Sequence, residues 1–438
     1  MFGGMTKAAM RKHRGLFSEY ARTALLGSVL ALSAAWLTPA EAQTLRTRAE
    51  LSSPSNNTRS LWQQTTPTSH NEAEQRLLEV YRLLSTGKGR EALDRVEALV
   101  GDHPNFQLAQ LVYADLLMAR THPLTAKGGG AQVSSPVVRQ RLEQLRLEAS
   151  RRVEAFRNRP QPGQVPAPFV ALPLSSRHAI AVDVSKSRLY LFENTAQGLR
   201  LLSDHYASIG LLGADKRVEG DQRTPLGIYY ITSRLDARQL TDFYGAGALP
   251  LNYPNEFDRR MGRTGSGIWL HGVPSDSYVR APQSTDGCVA MANTELERIL
   301  KLVQPRTTPV VISRQLEWVN NAQAEPERRS LNNLIEGWRA ARNSGDLNRV
   351  MSFYSNQFAS GSKDLAQWRQ LMTRDLSQPR RRPIHVKDLA ILNSTEHNDL
   401  LVVTFGEIVD GQRSGVLKRQ YWGKENGLWK IFYEGVIG

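Results

Sequence analysis

Two short segments hold residues of the types that covalent catalysis needs. Ile268-Trp269-Leu270-His271-Gly272 reads as a strand delivering a His at its end. Ser284-Thr285-Asp286-Gly287-Cys288-Val289-Ala290-Met291 reads as a glycine-containing turn delivering the only Cys of the chain. His271 and Cys288 stand 17 positions apart. A free thiol is mostly protonated at neutral pH, and an adjacent imidazole raises the thiolate fraction while supplying a proton for the leaving group. The imidazole needs an acceptor on its other nitrogen, such as the Gly272 carbonyl. Gly287 lets the chain turn sharply before Cys288, so that backbone N–H groups there face a developing oxyanion, with Asp286 and Thr285 beside it as substrate-binding candidates. The chemistry would be acyl transfer through a thioester. Each residue alone also has a plainer reading, since a lone Cys is commonly a small buried hydrophobe and a His ending a strand is commonly structural. Zinc fits poorly: His271 and Cys288 lack a paired ligand at short spacing, and His178 and His205 stand singly. Neither a metal nor a cofactor is expected.

These segments lie in a block, residues 178–314, that reads as mostly β with turns rich in Gly and Pro. Strands are expected over 179–184 and 188–192, around the turn Ser185-Lys186-Ser187, then over 201–209, 227–232, 267–270 and 309–312. One helix is marked by a capping-box pattern, Thr294 with Glu297, and by the apolar face Leu296, Ile299, Leu300 and Val303. Ahead of the block, residues 71–160 are helical in pattern: Leu77, Leu78, Tyr81 and Leu84 recur at steps of three and four, as do Leu93, Val96 and Val100. This run resembles a tetratricopeptide-like helical hairpin. An Arg-studded helix over 136–156 reads chiefly as a solvated face, and Pro160, Pro162, Pro166 and Pro168 as a stiff linker. A second, charged linker over 323–329 leads into the last part, residues 328–438. There, helices carrying Leu331, Leu334, Ile335 and Trp338, then Val350, Phe353 and Tyr354, precede strands over 386–392, 400–408, 415–422 and 429–434. Helices followed by a curled antiparallel sheet make an α+β domain.

The chain has 438 residues, enough for two or three domains, with 40% hydrophobic and 22% charged residues. That composition excludes a chain disordered throughout, and a single Cys excludes a disulfide scaffold. The formal net charge of +14 suits an anionic partner without choosing one. Lys7, Arg11, Lys12, Arg14 and Arg22 precede an apolar run over 23–37, followed by Pro39, Ala40, Glu41 and Ala42. This is the pattern of a secretory signal, with cleavage expected after Ala42; an uncleaved anchor is the alternative. Residues 43–70, rich in Ser, Thr, Asn and Gln, read as a flexible lead. Export to the periplasm places the protein away from chromosomal DNA, so no nucleic-acid partner is expected. Nor is a transmembrane span expected after signal removal.

Residues 178–314 resemble the L,D-transpeptidase (YkuD) family catalytic domain, whose signature pairs an upstream His with a Ser/Thr-x-Gly-Cys turn, here His271 and Thr285-Asp286-Gly287-Cys288. Arg223-Thr224-Pro225-Leu226-Gly227-Ile228-Tyr229 is similar to the family's Thr-Pro-x-Gly-x-Tyr element. The resemblance implies Cys288 as nucleophile, His271 as base and Gly272 as the carbonyl that orients it. Family members act on peptidoglycan stem peptides: the Cys attacks the carbonyl of the third residue, expels the terminal D-amino acid and passes the acyl group to an amine or to water. Two positions depart from the pattern. Asp286 replaces a usual His, adding a negative charge beside the thiol, and Ala290 stands where an Arg or Asn is frequent. The last part of the chain, through Ile335-Glu336-Gly337-Trp338-Arg339-Ala340 and Gly345-Asp346, resembles the nuclear-transport-factor-2-like cone fold. The expectation is therefore a multidomain α+β protein: a helical module, a mostly-β catalytic domain and a C-terminal cone. Its partners would be peptidoglycan stem peptides and wall-associated proteins. The leading function is an L,D-transpeptidase; an L,D-carboxypeptidase using water, and a non-catalytic wall-binding scaffold, are the alternatives.

Overall fold

The computed structural model describes residues 72–121, 135–378, 382–397 and 399–437. The expected signal peptide and flexible lead lie outside the described residues. No helix among the described residues is long and apolar enough to cross a membrane. Glu72–Ala149 form one compact unit and the chain from Ser150 onward another.

In the first unit, helices α1 (Glu72–Ser85), α2 (Gly89–Asp102) and α3 (Gln107–Thr121) follow the apolar period. Leu77, Val80 and Leu83 are buried on α1, Leu93, Val96 and Leu99 on α2, and Leu108, Leu111 and Val112 on α3. The turn after α1 passes through Gly87 at φ +75, a conformation open to glycine, and Lys88 N–H bonds back to the Leu83 carbonyl at 2.9 Å. Helix α4 (Pro136–Arg157) carries the arginines read as a solvated face. Arg152 departs from that reading: it is buried, its guanidinium 4.0 Å above the Tyr206 ring.

The second unit begins with a difference from the linker expectation. Phe169–Ala171 forms a strand, β1, inside the proline-rich stretch and pairs with a strand near the carboxy terminus. The catalytic block follows with β2 (His178–Asp183), β3 (Arg188–Thr195), β4 (Gly198–Tyr206), β5 (Gly227–Tyr230), β6 (Leu235–Asp236), β7 (Gly247–Pro250), helix α5 (Glu256–Arg260), β8 (Trp269–His271), β9 (Val289–Ala290), helix α6 (Asn293–Leu302) and β10 (Pro309–Ser313). Two sheets result, in the orders β4-β3-β2-β10-β5 and β9-β8-β7-β6. Ile180, Val182, Leu249, Leu270, Val289, Leu296, Ile299 and Ile312 fill the core between them, and α6 covers it. Helix α6 starts one residue ahead of Thr294, with Ala292 at its N-cap and no side-chain cap.

The charged stretch 323–329, read as a linker, is helical. It lies in α7 (Asn321–Ser344), because Asn320 and Gln323 form a capping box ahead of the apolar face that Leu331, Ile335 and Trp338 bury. Helices α8 (Leu347–Met351), capped by Asp346, and α9 (Leu365–Leu376) complete the layer. Strands β11 (Ile384–Asn393), β12 (Leu400–Val409), β13 (Val416–Glu425) and β14 (Leu428–Val436) make an antiparallel sheet that β1 extends at its edge. The helices bury Leu331, Ile335, Trp338 and Met351 against Leu401, Val403, Phe405 and Trp422 on its inner face. The whole is a multidomain α+β protein.

The outer face of this sheet packs on the catalytic block. Ala179, Ala181, Tyr190, Phe192, Ile228, Tyr230 and Val311 share one core with Leu392, Leu400, Val402, Tyr421 and Phe432. Strand β2 is consequently buried at every position, which explains its unbroken apolar run. Tyr230 Oη and Thr404 Oγ1 meet at 3.2 Å within this core. Phe192 is fully buried there, 6.0 Å from Phe169 and 6.2 Å from Trp318. Phe192→Ala is expected to cost about 3–5 kcal/mol and to lower one shared unfolding transition of the catalytic block and the cone, followed by calorimetry. Two separated transitions, only one of them shifted, would show that the sheets melt independently.

Candidate active site

Strands β8 and β9 run parallel, with Leu270 opposite Val289 and His271 opposite Ala290. Leu270 and Val289 point into the core. Strand alternation therefore sends Trp269, His271, Cys288 and Ala290 to the other face, with Cys288 one residue ahead of β9. This pairing brings the two sequence candidates to one surface.

His271 is 1% exposed, and its Nδ1 lies 2.6 Å from the Gly272 carbonyl. A carbonyl only accepts, so Nδ1 carries the hydrogen and Nε2 keeps its lone pair. Burial pulls the imidazole pKa down to about 4, leaving the ring neutral near pH 7. Cys288 is half-buried. Trp269 N–H donates to Sγ at 3.4 Å, and the thiol donates to the Gly267 carbonyl at 3.4 Å. Desolvation pushes the thiol pKa up to about 11, assisted by the negative charge of Asp286 and opposed by the Trp269 N–H. Among the described residues no hydrogen bond joins Cys288 to His271. The resting pair is a neutral thiol and a neutral imidazole.

Local backbone requirements explain the glycines. A Cβ at Gly272 would collide with Asn293 Oδ1, because the 244–246 loop and α6 close over this point. Asn293 Oδ1 accepts from Ala246 N–H at 3.0 Å and Val273 N–H at 3.1 Å, and its Nδ2 donates to the Val273 carbonyl at 2.8 Å. That duty keeps Asn293 from capping anything else. Gly287 has φ +125, and a Cβ there would sit 2.6 Å from the Arg223 carbonyl. Its N–H donates to Thr285 Oγ1 at 3.2 Å, and Thr285 Oγ1 donates to the Cys288 carbonyl at 2.7 Å. Thr285 thus stitches the turn that presents the sulfur. Asp286 is exposed and accepts from Gln222 Nε2 at 3.1 Å. The Thr224 to Tyr229 element is internal scaffolding: Thr224 Oγ1 accepts from Gly210 N–H at 2.9 Å, and buried Tyr229 donates to the Leu226 carbonyl at 3.1 Å.

The fold adds residues that sequence reasoning missed. Tyr244 packs 4.9 Å from Trp269 and 5.2 Å from His271, and Phe243 stacks on the imidazole at 6.0 Å. Arg280 lies over Phe243 at 4.2 Å and interacts electrostatically with Cys288, Asp286 and Tyr244. Its positive charge reaches the thiol and favours the thiolate, against the stronger effect of burial. Arg280 and Tyr244 belong to no motif, and only the loop closure gathers them.

A neutral resting thiol has a signature in its pH dependence. Only the thiolate alkylates, and its fraction grows tenfold per pH unit below the pKa. Iodoacetamide labelling of Cys288, followed by intact mass, is expected to accelerate steadily through neutral pH and to keep rising above pH 9. A plateau near neutrality would indicate a preformed thiolate–imidazolium pair.

Comparison with known proteins finds family matches over two parts of the chain. Residues 177–312 match the YkuD family model, described as the L,D-transpeptidase catalytic domain, and residues 330–435 match the Cds6 C-terminal NTF2-like domain. A solved structure of Bd1075 from Bdellovibrio bacteriovorus is similar at 28% identity and a TM-score of 0.55, over 62% of this chain and 98% of that one. The helical cell shape determining protein Pgp2 from Campylobacter jejuni is similar at 24% identity and a TM-score of 0.49, over 59% of this chain and 91% of that one. Among curated proteins none matches. Residues 177–312 thus form a catalytic domain of the L,D-transpeptidase (YkuD) family, and residues 330–435 an NTF2-like domain.

Proposed function

We propose that this protein is an exported, periplasmic enzyme of peptidoglycan, in which Cys288 attacks the stem tetrapeptide and His271 moves the proton. One observation carries the reading: the Gly272 carbonyl holds His271 Nδ1–H, so the basic Nε2 belongs to the face of the paired strands that also bears Cys288. Because the resting pair is neutral, the thiol proton passes to Nε2 as sulfur attacks the carbonyl carbon of the third residue. This differs from storing a thiolate in advance. The C–N bond to the terminal D-amino acid then breaks, and its nitrogen takes the proton from the imidazolium. An amine or a water next attacks the thioester, gives its proton to Nε2, and the proton returns to sulfur.

Thr285 occupies the Gly287 N–H, which leaves the Cys288 N–H and the Arg280 guanidinium to meet the developing oxyanion or the substrate carboxylate. Asp286, exposed beside the turn, would lie at the rim of the site, whereas Ala290 is buried beneath it. The helical module and the cone would position the catalytic domain on the wall.

Transfer to an amine and hydrolysis by water share the first half-reaction, and products separate them. With purified protein and disaccharide tetrapeptide, a 3-3 cross-linked dimer or an exchanged terminal D-amino acid marks the transpeptidase. A tripeptide marks the carboxypeptidase. Cys288→Ala is expected to abolish turnover with the thermal midpoint preserved, and His271→Ala to lower kcat by roughly 10²–10⁴. Turnover surviving in the Cys288 variant would remove the covalent mechanism, and an inert wild type that forms no Cys288 acyl adduct would favour the scaffold. Arg280→Met is expected to raise KM for the tetrapeptide about tenfold, by loss of a charge-assisted contact worth ~1.4 kcal/mol. An unchanged KM and kcat would leave Arg280 outside the substrate site.

A further inference from the structure

A cavity of about 280 Å³ opens between the catalytic domain and the outer face of the cone sheet. Asn252, Tyr253 and the ion pair Glu256–Arg259, closed at 2.6 Å, line one side, and Arg419, Tyr421 and Tyr433 the other. Arg419, on β13, is 7% exposed. Its Nε donates to Thr404 Oγ1 at 2.9 Å and its guanidinium lies 3.4 Å from the centre of the Tyr230 ring, yet Nη2 is buried with no hydrogen-bond partner. Its neighbour in the strand is treated differently. Lys418, pointing into the cone, is held by Glu407 at 2.9 Å and Glu434 at 3.2 Å. Among the described residues no carboxylate forms an ion pair with Arg419.

A cation taken out of water without a counter-ion is costly, and Arg419 lines this cavity with no carboxylate paired to it, although its Nη2 is itself closed off from solvent. Aromatic walls and this volume suit one amino-acid-sized group. We propose that the cavity binds a small organic carboxylate, with Arg419 as the anchor and Tyr253, Tyr421 and Tyr433 as the walls. This site is separate from Cys288 and does not rest on the reaction proposed there.

Calorimetric titration of the full exported chain carrying Cys288→Ala tests it, since no turnover then contributes heat. N-acetyl-D-alanine represents a peptide terminus and free D-alanine a released amino acid. Binding of either supports the site, and the tighter of the two identifies the source. The methyl ester of the bound probe, which lacks the negative charge, is expected not to bind. Arg419→Gln is expected to weaken binding about tenfold or more. Val436 lines the cavity and is 63% exposed, so Val436→Glu sets a competing carboxylate there without disturbing the core, and is expected to weaken binding comparably. Should Arg419→Gln fail to fold, Val436→Glu decides. Equal binding of the ester, unchanged affinity in the folded variants, or binding of inorganic phosphate in place of both probes would overturn the proposal.

Discussion

At residue 272 there is no room for a side chain, and the catalytic surface is organised around that restriction. Asn293 brings its amide to the spot a Cβ would occupy and ties Ala246 to Val273. The 244–246 loop is drawn onto the end of β8, so that Tyr244 and Phe243 wall the imidazole. The same backbone position supplies the carbonyl that fixes the imidazole tautomer. Ring orientation, proton placement and the aromatic wall all follow from one glycine clasped by one amide.

A second theme is restraint of the sulfur. Burial opposes ionisation of both partners: the thiol is pushed up and the imidazole pulled down, so each stays uncharged at rest. Asp286 reinforces this although it is exposed and bonded to Gln222, because its charge still reaches the thiol. A protonated thiol is a poor target for peroxide, since oxidation proceeds through the thiolate. In the reaction proposed here the sulfur would become reactive only once a substrate carbonyl is brought to it.

How much of this could be read from residues alone depended on the range of the interactions involved. That His271 and Cys288 belong to two adjoining segments was legible because each sits in a short motif, a strand ending in His271-Gly272 and a turn ending in Gly287-Cys288, and β8 and β9 pair side by side. The α+β order of the cone was legible from its helix period and strand alternation. Phe169–Ala171 was not, because its strand partner is Leu392, far along the chain, and prolines around it read as linker. The 323–329 stretch was misread for the opposite reason: charged residues suggested a loop, while the Asn320 and Gln323 capping box that makes it helical is a two-residue signal. Asn293, Arg280 and Arg419 are isolated polar residues in sequence, and only tertiary closure gives them their neighbours.

The core shared by the catalytic sheet and the cone bears on inheritance. Tyr190, Phe192, Tyr230 and Val311 meet Leu392, Val402, Tyr421 and Phe432 as one apolar layer. A nonsense codon or frameshift late in the gene, sparing every catalytic residue, would still strip this wall bare and deliver a sticky, protease-sensitive fragment. Selection for a stable 178–314 block would therefore extend to the cone that covers it. The two modules would be expected to travel through lineages as a single cistron segment and to resist reshuffling.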